Sequence, residues 1–259
     1  MAPRRKKPGA APTQKPPPAP CPVALVPSPV GEGPRTVEPL RVTARIRGAI
    51  ALPNGPLALD ALLAAAVARR EGLPPPDGIS PMRDIEIPVA RAEGVGGAPG
   101  RFHLASLSEC EVEERERRWV NRRFPIPEAQ AFAVESFKRI NIAAGAQKSY
   151  RLPLETAHLA GDALRWWCLG DRGQIAALLA LVPYLGKRRA TGLGAVVAWE
   201  VERCEPWPGF PVVRDGRPLR PLPPDWPGLA PGAEVAWRTM TFPYWEWTRR
   251  ELCAVPPSR

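Results

Sequence analysis

The sequence is poor in the side chains on which most hydrolytic and metal-dependent enzymes rely. Histidine occurs only at His103 and His158 in 259 residues, so a histidine base must be one of these two. Asp, Glu and His nowhere cluster in a way that suggests a metal nuclease. The five cysteines (Cys21, Cys110, Cys168, Cys204 and Cys253) are odd in number and never form a CxxC pair, which suggests neither a zinc knuckle nor a disulfide framework. Reduced thiols fit the cytoplasm. No apolar run approaches the roughly 20 residues that span a bilayer, and the proline-broken start lacks the apolar stretch of a signal peptide. No internal repeat is present. The expectation is a cytoplasmic protein with no membrane partner, no metal and no cofactor.

Proline and positive charge are abundant instead. Lys and Arg total 36 against 26 Asp and Glu, a formal charge of +10, which favours an anionic partner such as nucleic acid. Composition divides the chain into three. Residues 1–36 combine 11 prolines with Arg4, Arg5, Lys6, Lys7, Lys15 and Arg35 against the single acid Glu32. Such a tract buries too little apolar surface to offset its ordering entropy and reads as a disordered tail, either solubilising or an arm that binds nucleic acid or a partner. Residues 37–204 read as the folded body, with an inserted basic segment at about 111–160. Residues 205–259 read as an extension rich in proline and tryptophan that packs on the body, covering Trp207, Phe210 and Trp226.

Hydrophobic periodicity outlines the body. In RVTARIRGAI (41–50), Val42, Ala44, Ile46 and Ile50 alternate with Arg41, Thr43, Arg45 and Arg47, which predicts a strand with a basic outward face. Leu59, Leu62, Leu63, Ala66, Val67 and Arg70 follow helical spacing and stop at Gly72. DIEIPVAR (84–91) and RFHLASLSEC (101–110) read as two strands joined by a glycine-rich turn. Asp171 is placed to cap a second helix with Ile175, Leu178, Leu179, Val182 and Leu185 on one side, and Pro183 to kink or end it. AVVAWEVE (195–202) then reads as a strand with Val197, Trp199 and Val201 inward and Ala198, Glu200 and Glu202 outward. The order β-α-β-β-α-β is that of an α+β, ferredoxin-like fold, as in RNA-recognition modules.

Between that second helix and the last strand lies YLGKRRATGLG (184–194). Phosphate loops of the dinucleotide and P-loop kinds run strand, glycine, helix, so that helix N–H groups meet the phosphates. Here the order is helix, glycine, strand, and Gly186-Lys187 is followed by Arg188 where a P-loop needs Ser or Thr. Gly186, Gly192 and Gly194 offer a backbone that a ligand can approach closely, flanked by Lys187, Arg188 and Arg189, a combination suited to an RNA or DNA backbone. A turn from helix into strand is the plainer reading of the same glycines.

LGKRRATGLGAVVAWEVE at this helix-to-strand connection resembles the glycine-rich loop of the RAMP superfamily of CRISPR ribonucleoprotein subunits. Together with LRVTARIRGAI, LDALLAAAVARREGLP, FHLASLSE, the WWCLGDRGQIAALL run and the terminal FPYWEWTRRELCAVP, it resembles the Csf-three family, the type IV counterpart of the Cas-five subunits. The resemblance covers roughly residues 38–259 and is vague from about 124 to 160. It implies a non-catalytic subunit that grips the 5′ repeat-derived handle of the guide RNA and caps a filament of backbone subunits. Its partners would be the guide RNA, the backbone and large subunits and, indirectly, target DNA.

Two further features bear on that expectation. VEERERRWVNRRF (112–124) interleaves Arg115, Arg117, Arg118, Arg122 and Arg123 with Trp119 and Phe124, a mixture used on single-stranded nucleic acid. It reads equally as an exposed helix laced by Glu113, Glu114 and Glu116. Lys138, Arg139, Lys148 and Arg151 extend the positive charge. Trp166 and Trp167 fit a core or subunit interface, and Tyr244, Trp245 and Trp247 fit packing against the sheet. The rival is a metal-independent endoribonuclease, an activity that occurs in the superfamily. It needs a base, for which His103 beside Ser106 and Ser108, or Lys148 with Tyr150, are the options. A scaffold touching only protein would leave the basic strand face and the glycine loop unexplained.

Overall fold

The computed structural model describes residues 36–52, 55–73, 85–92, 102–122, 143, 149–244 and 246–257, all within the unit Gly33–Arg259. The proline-rich tail, Arg123, Phe124, Lys138, Arg139, Lys148 and Trp245 lie outside the described residues.

Strand β1 (Glu38–Arg47) is the middle of a three-stranded antiparallel sheet. Its alternation largely does what the pattern requires: Leu40, Val42, Ala44 and Ile46 are buried and Arg41, Arg45 and Arg47 face solvent, but Thr43, expected outward with the arginines, is buried. Helix α1 (Leu59–Arg70) follows, with Asp60 in its first turn, Arg69 and Arg70 in its last, and Leu59, Leu63, Ala66 and Val67 buried. These charges complement the helix dipole. Gly72 ends it at φ 63°.

Strands β2 (Val112–Arg122) and β3 (Tyr150–Leu159) form an antiparallel ribbon. After a tight turn, β4 (Ala163–Gly170) pairs with β1 from Glu38↔Gly170 to Arg45↔Ala163. Helix α2 (Arg172–Leu179) starts where the sequence predicts, the Asp171 carboxylate accepting the Gln174 N–H at 2.9 Å. It ends at Leu179, before Pro183, and buries Ile175, Leu178 and Leu179. Strand β5 (Ala195–Arg203) completes the sheet order β4-β1-β5. Two indoles fasten the layers: Trp166 donates to the Leu57 carbonyl (2.8 Å) and Trp199 to that of Val182 (3.0 Å). The chain is thus mixed α and β, mostly strand among the described residues.

Three further expectations need correction. Residues 85–92 and 102–110 are extended but join β4 and each other through isolated bridges, among them Val89↔Gly170, Arg91↔His103, Ala105↔Cys168 and Glu109↔Arg165. Pro88 has no N–H for a ladder. The Ser106 and Ser108 hydroxyls accept the Trp167 and Leu57 N–H groups at 2.9 and 2.8 Å, in place of backbone carbonyls. Val197 points outward, because the β1–β5 register shifts between Arg45↔Ala198 and Ile46↔Val196 and leaves Val197 as the extra residue of a bulge. Val196 packs towards the core in its place. The stretch 112–122 is a strand, so the reading of an exposed helix laced by ion pairs falls.

The C-terminal part carries β6 (Val213–Arg214), β7 (Arg217–Pro218), β8 (Val235–Thr239) and β9 (Arg250–Ala254). It builds a second core from Val212, Val213, Leu222, Met240, Cys253 and Val255 with Ala92 and Phe102. Trp207 meets Trp167 edge-on at 5.7 Å, and the Arg214 guanidinium lies 4.0 Å from both rings.

Candidate nucleic-acid interface

Residues 49–51, just past β1, join the two cationic regions singled out in the sequence. On one side they hold the glycine loop: the Lys187 N–H donates to the Ala51 carbonyl (2.7 Å) and the Gly194 N–H to that of Ala49 (3.0 Å). On the other side Ile50 exchanges both backbone bonds with Ala157 of β3, at 2.9 and 2.8 Å. Ala157 in turn faces Arg115 of β2. The loop and the base of the ribbon therefore flank one three-residue segment.

Within the loop the three glycines differ in role. All have positive φ: 77° at Gly186, 83° at Gly192 and 66° at Gly194. A side chain at Gly186 would strike the Ala51 carbonyl, and one at Gly194 the carbonyl of Leu185, each also meeting Ile50 Cγ1. These two serve packing and the turn into β5. Gly192 has nothing within 4 Å of where a Cβ would sit. The tip from Lys187 to Gly192 is exposed and includes the short 3₁₀ turn Arg189–Thr191. Arg188 adopts φ 58°, left-handed, where its carbonyl accepts the Thr191 hydroxyl (2.7 Å) and N–H (2.9 Å). A braced turn with exposed cations results.

The ribbon is exposed along most of β2. Cross-strand register places Arg115, Arg117, Trp119 and Asn121 on one face with Ala157, Glu155, Pro153 and Arg151. Arg117 pairs with Glu155 at 2.9 Å. The Arg151 guanidinium lies 4.4 Å from the centre of the half-exposed Trp119 ring, which fixes the indole. On the opposite face Arg118 holds Glu116 at 2.7 Å, and this contact keeps the Glu116 carboxyl below its ordinary range. Arg122 ends β2 opposite Tyr150.

The outward face of β1 is less basic than its sequence alone implies. Arg45 makes a two-pronged pair with Glu200 (2.9 and 3.1 Å), and Arg41 reaches Glu202 at 2.6 Å. Glu200 is lowered by its bond to Arg45, as expected for a carboxylate held ionised. Arg47, which ends β1 just before Gly48 and Ala49, has no ion-pair partner among the described residues.

His103 lies elsewhere. Its segment runs antiparallel to β4 with Ala105 opposite Cys168, whereas the glycine loop adjoins the other end of the sheet, where Arg45 meets Ala163. At about 3.3 Å per residue this separates them by roughly 20 Å. The Ser106 hydroxyl donates to the Leu107 carbonyl and accepts from the Trp167 N–H. Burial raises the Cys168, Cys204 and Cys253 thiols, so none is tuned as a nucleophile.

Sequence reasoning missed a buried polar hub. Arg220 is fully buried and donates to the carbonyls of His103, Ala105 (2.9 Å) and Met240, to the Tyr244 hydroxyl (3.0 Å) and to Asp60 Oδ2 (3.3 Å). Tyr244 donates to Asp60 at 2.6 Å. Burial disfavours the Arg220 cation, but Tyr244 and Asp60 more than offset it and keep the guanidinium charged. Asp60 carried the only signal, an acid on the buried face of an apolar helix, which reads as an ordinary first-turn charge. Tyr244 packs inward as expected; Trp247 does not and is exposed.

Among the described residues no three His, Cys, Asp or Glu are grouped to hold a metal ion, and no helix is long and apolar enough to cross a membrane. Comparison with curated proteins gave no match. Residues 38–256, which include the glycine loop, the ribbon and the buried hub, match the model of a protein family described as CRISPR type IV associated protein Csf3. The chain belongs to the Csf3 family and is a type IV CRISPR-associated protein.

Proposed function

We propose that this chain is the subunit of a type IV CRISPR effector complex that grips the 5′ handle of the guide RNA and caps the backbone filament, without cleaving RNA itself. Family membership supplies the complex. One observation carries the RNA reading: residues 49–51 hold the exposed cations Lys187, Arg188 and Arg189 and the Arg115–Trp119 ribbon on either side of one short segment. The tip suits phosphates and Trp119 suits a stacked base. Guide RNA and protein neighbours would be direct partners and target DNA an indirect one.

The fold reading supports this. The sheet runs β5-β1-β4, with residues 102–110 beyond β4, and the two helices fall after β1 and after β4. That order fits a ferredoxin-like βαββαβ sheet with the ribbon as an insertion. The endoribonuclease alternative has less behind it, since Ser106 and Ser108 are spent on backbone bonds and His103 lies far from the loop.

The test is to incubate full-length protein with labelled repeat RNA and a chelator. The RNA should be retained intact, and Trp119→Ala should weaken binding about tenfold at unchanged melting temperature. A discrete cut within the repeat, lost in His103→Ala, would overturn the non-catalytic reading.

A further inference from the structure

The β8–β9 hairpin carries apolar side chains on both faces. Its inner face sends Ala236 and Cys253 into the second core. Its outer face sets Trp237 directly opposite Leu252, with Val235 on the same side. Trp237 is 63% exposed, Val235 50% and Leu252 47%, and Trp247, in the 3₁₀ turn Trp247–Arg249 leading into β9, is 73% exposed. A strand with one wet face normally alternates apolar with polar side chains, and apolar residues on both faces mark a strand covered on both sides.

The other features of the hairpin indicate what covers it. On the outer face the one charged residue is Arg250, opposite Thr239, and it has no ion-pair partner among the described residues. Glu251 and Arg238 face each other on the other side. Among the described residues strand β8 is hydrogen-bonded to a strand on one side only, which leaves an edge that accepts another strand. Tryptophan with arginine is the composition of a protein interface hot spot. The aliphatic pair Val235 and Leu252 beside Trp237 favours an apolar protein surface over nucleobases, which would use the indoles alone. Arg250 selects a partner with a carboxylate at the rim.

We propose that this hairpin is a docking surface for another protein, one that presents apolar side chains, bordered by carboxylates, to Trp237, Leu252 and Val235 and aligns with the β8 edge. The inference does not depend on the RNA-binding reading.

The test uses full-length protein co-expressed with the proteins encoded beside it. In the wild type, amide exchange at residues 235–239 and 250–254 should slow on assembly. A Trp237→Ser/Leu252→Ser variant with wild-type melting temperature should bind the retained protein at least about tenfold more weakly. Its affinity for labelled single-stranded RNA should be unchanged, and both forms should sediment as monomers when alone. If the double variant does not fold, the exchange measurement on the wild type decides. Three results would overturn the proposal: unchanged exchange or no protein retained, lost RNA affinity in the variant, which makes this a nucleic-acid surface, or a wild-type dimer that the variant abolishes, which makes the occupant a second copy.

Discussion

Asp60→Ala will destabilise the protein by about 3–5 kcal/mol in urea unfolding, because it strands the fully buried Arg220 cation without its carboxylate. The Tyr244 hydroxyl loses its acceptor in the same step. The hub ties three distant pieces together: α1 through Asp60, the 102–105 segment through two carbonyls, and the C-terminal part through Met240 and Tyr244. Adding Arg220→Met to Asp60→Ala should recover part of the loss, since a buried apolar side chain costs less than a buried unpaired charge. A loss below about 1 kcal/mol for Asp60→Ala would mean that water reaches Arg220 and that the C-terminal part is not fastened there.

The second large effect separates the glycines of the loop. Gly194→Val introduces a β-branched residue at φ 66° against the Leu185 carbonyl and Ile50, and it should cost at least about 3 kcal/mol or prevent folding. Gly192→Ala adds a methyl to open space at φ 83°, a strain of about 1 kcal/mol. The Gly192→Ala protein should therefore fold, melt slightly lower and bind handle RNA more weakly. Thermal melts and RNA titration read both. A Gly194→Val protein that melts like the wild type would show that this turn is not packed as described.

Periodicity made much of the frame legible. Val42 to Ile46 alternate because β1 is buried on one side, and Asp171 announces α2 because an N-cap needs a short side-chain acceptor. What stayed hidden depends on partners distant in sequence. The ribbon at 112–122 carries charge on both faces, so neither a period of two nor of 3.6 stands out, and its pairing with 150–159 decides the structure. β4 is nearly continuous in apolar residues, which periodicity cannot assign. Val197 was misplaced because a bulge is a property of the pair, set by the β1–β5 register. In the candidate site, the loop and the ribbon were legible separately. Their meeting at residues 49–51 was not, since it rests on backbone bonds that carry no side-chain signature.

The most direct test of the central claim is to photocross-link full-length protein to guide RNA carrying 4-thiouridine in its 5′ handle and to map the modified residues by mass spectrometry. Adducts are expected at the loop tip, residues 187–192, and on the ribbon at 115–119, both diminished when Lys187, Arg188 and Arg189 are changed together to Ala. Adducts confined to residues 205–257, with none on the loop or ribbon and no response to the triple substitution, would contradict it.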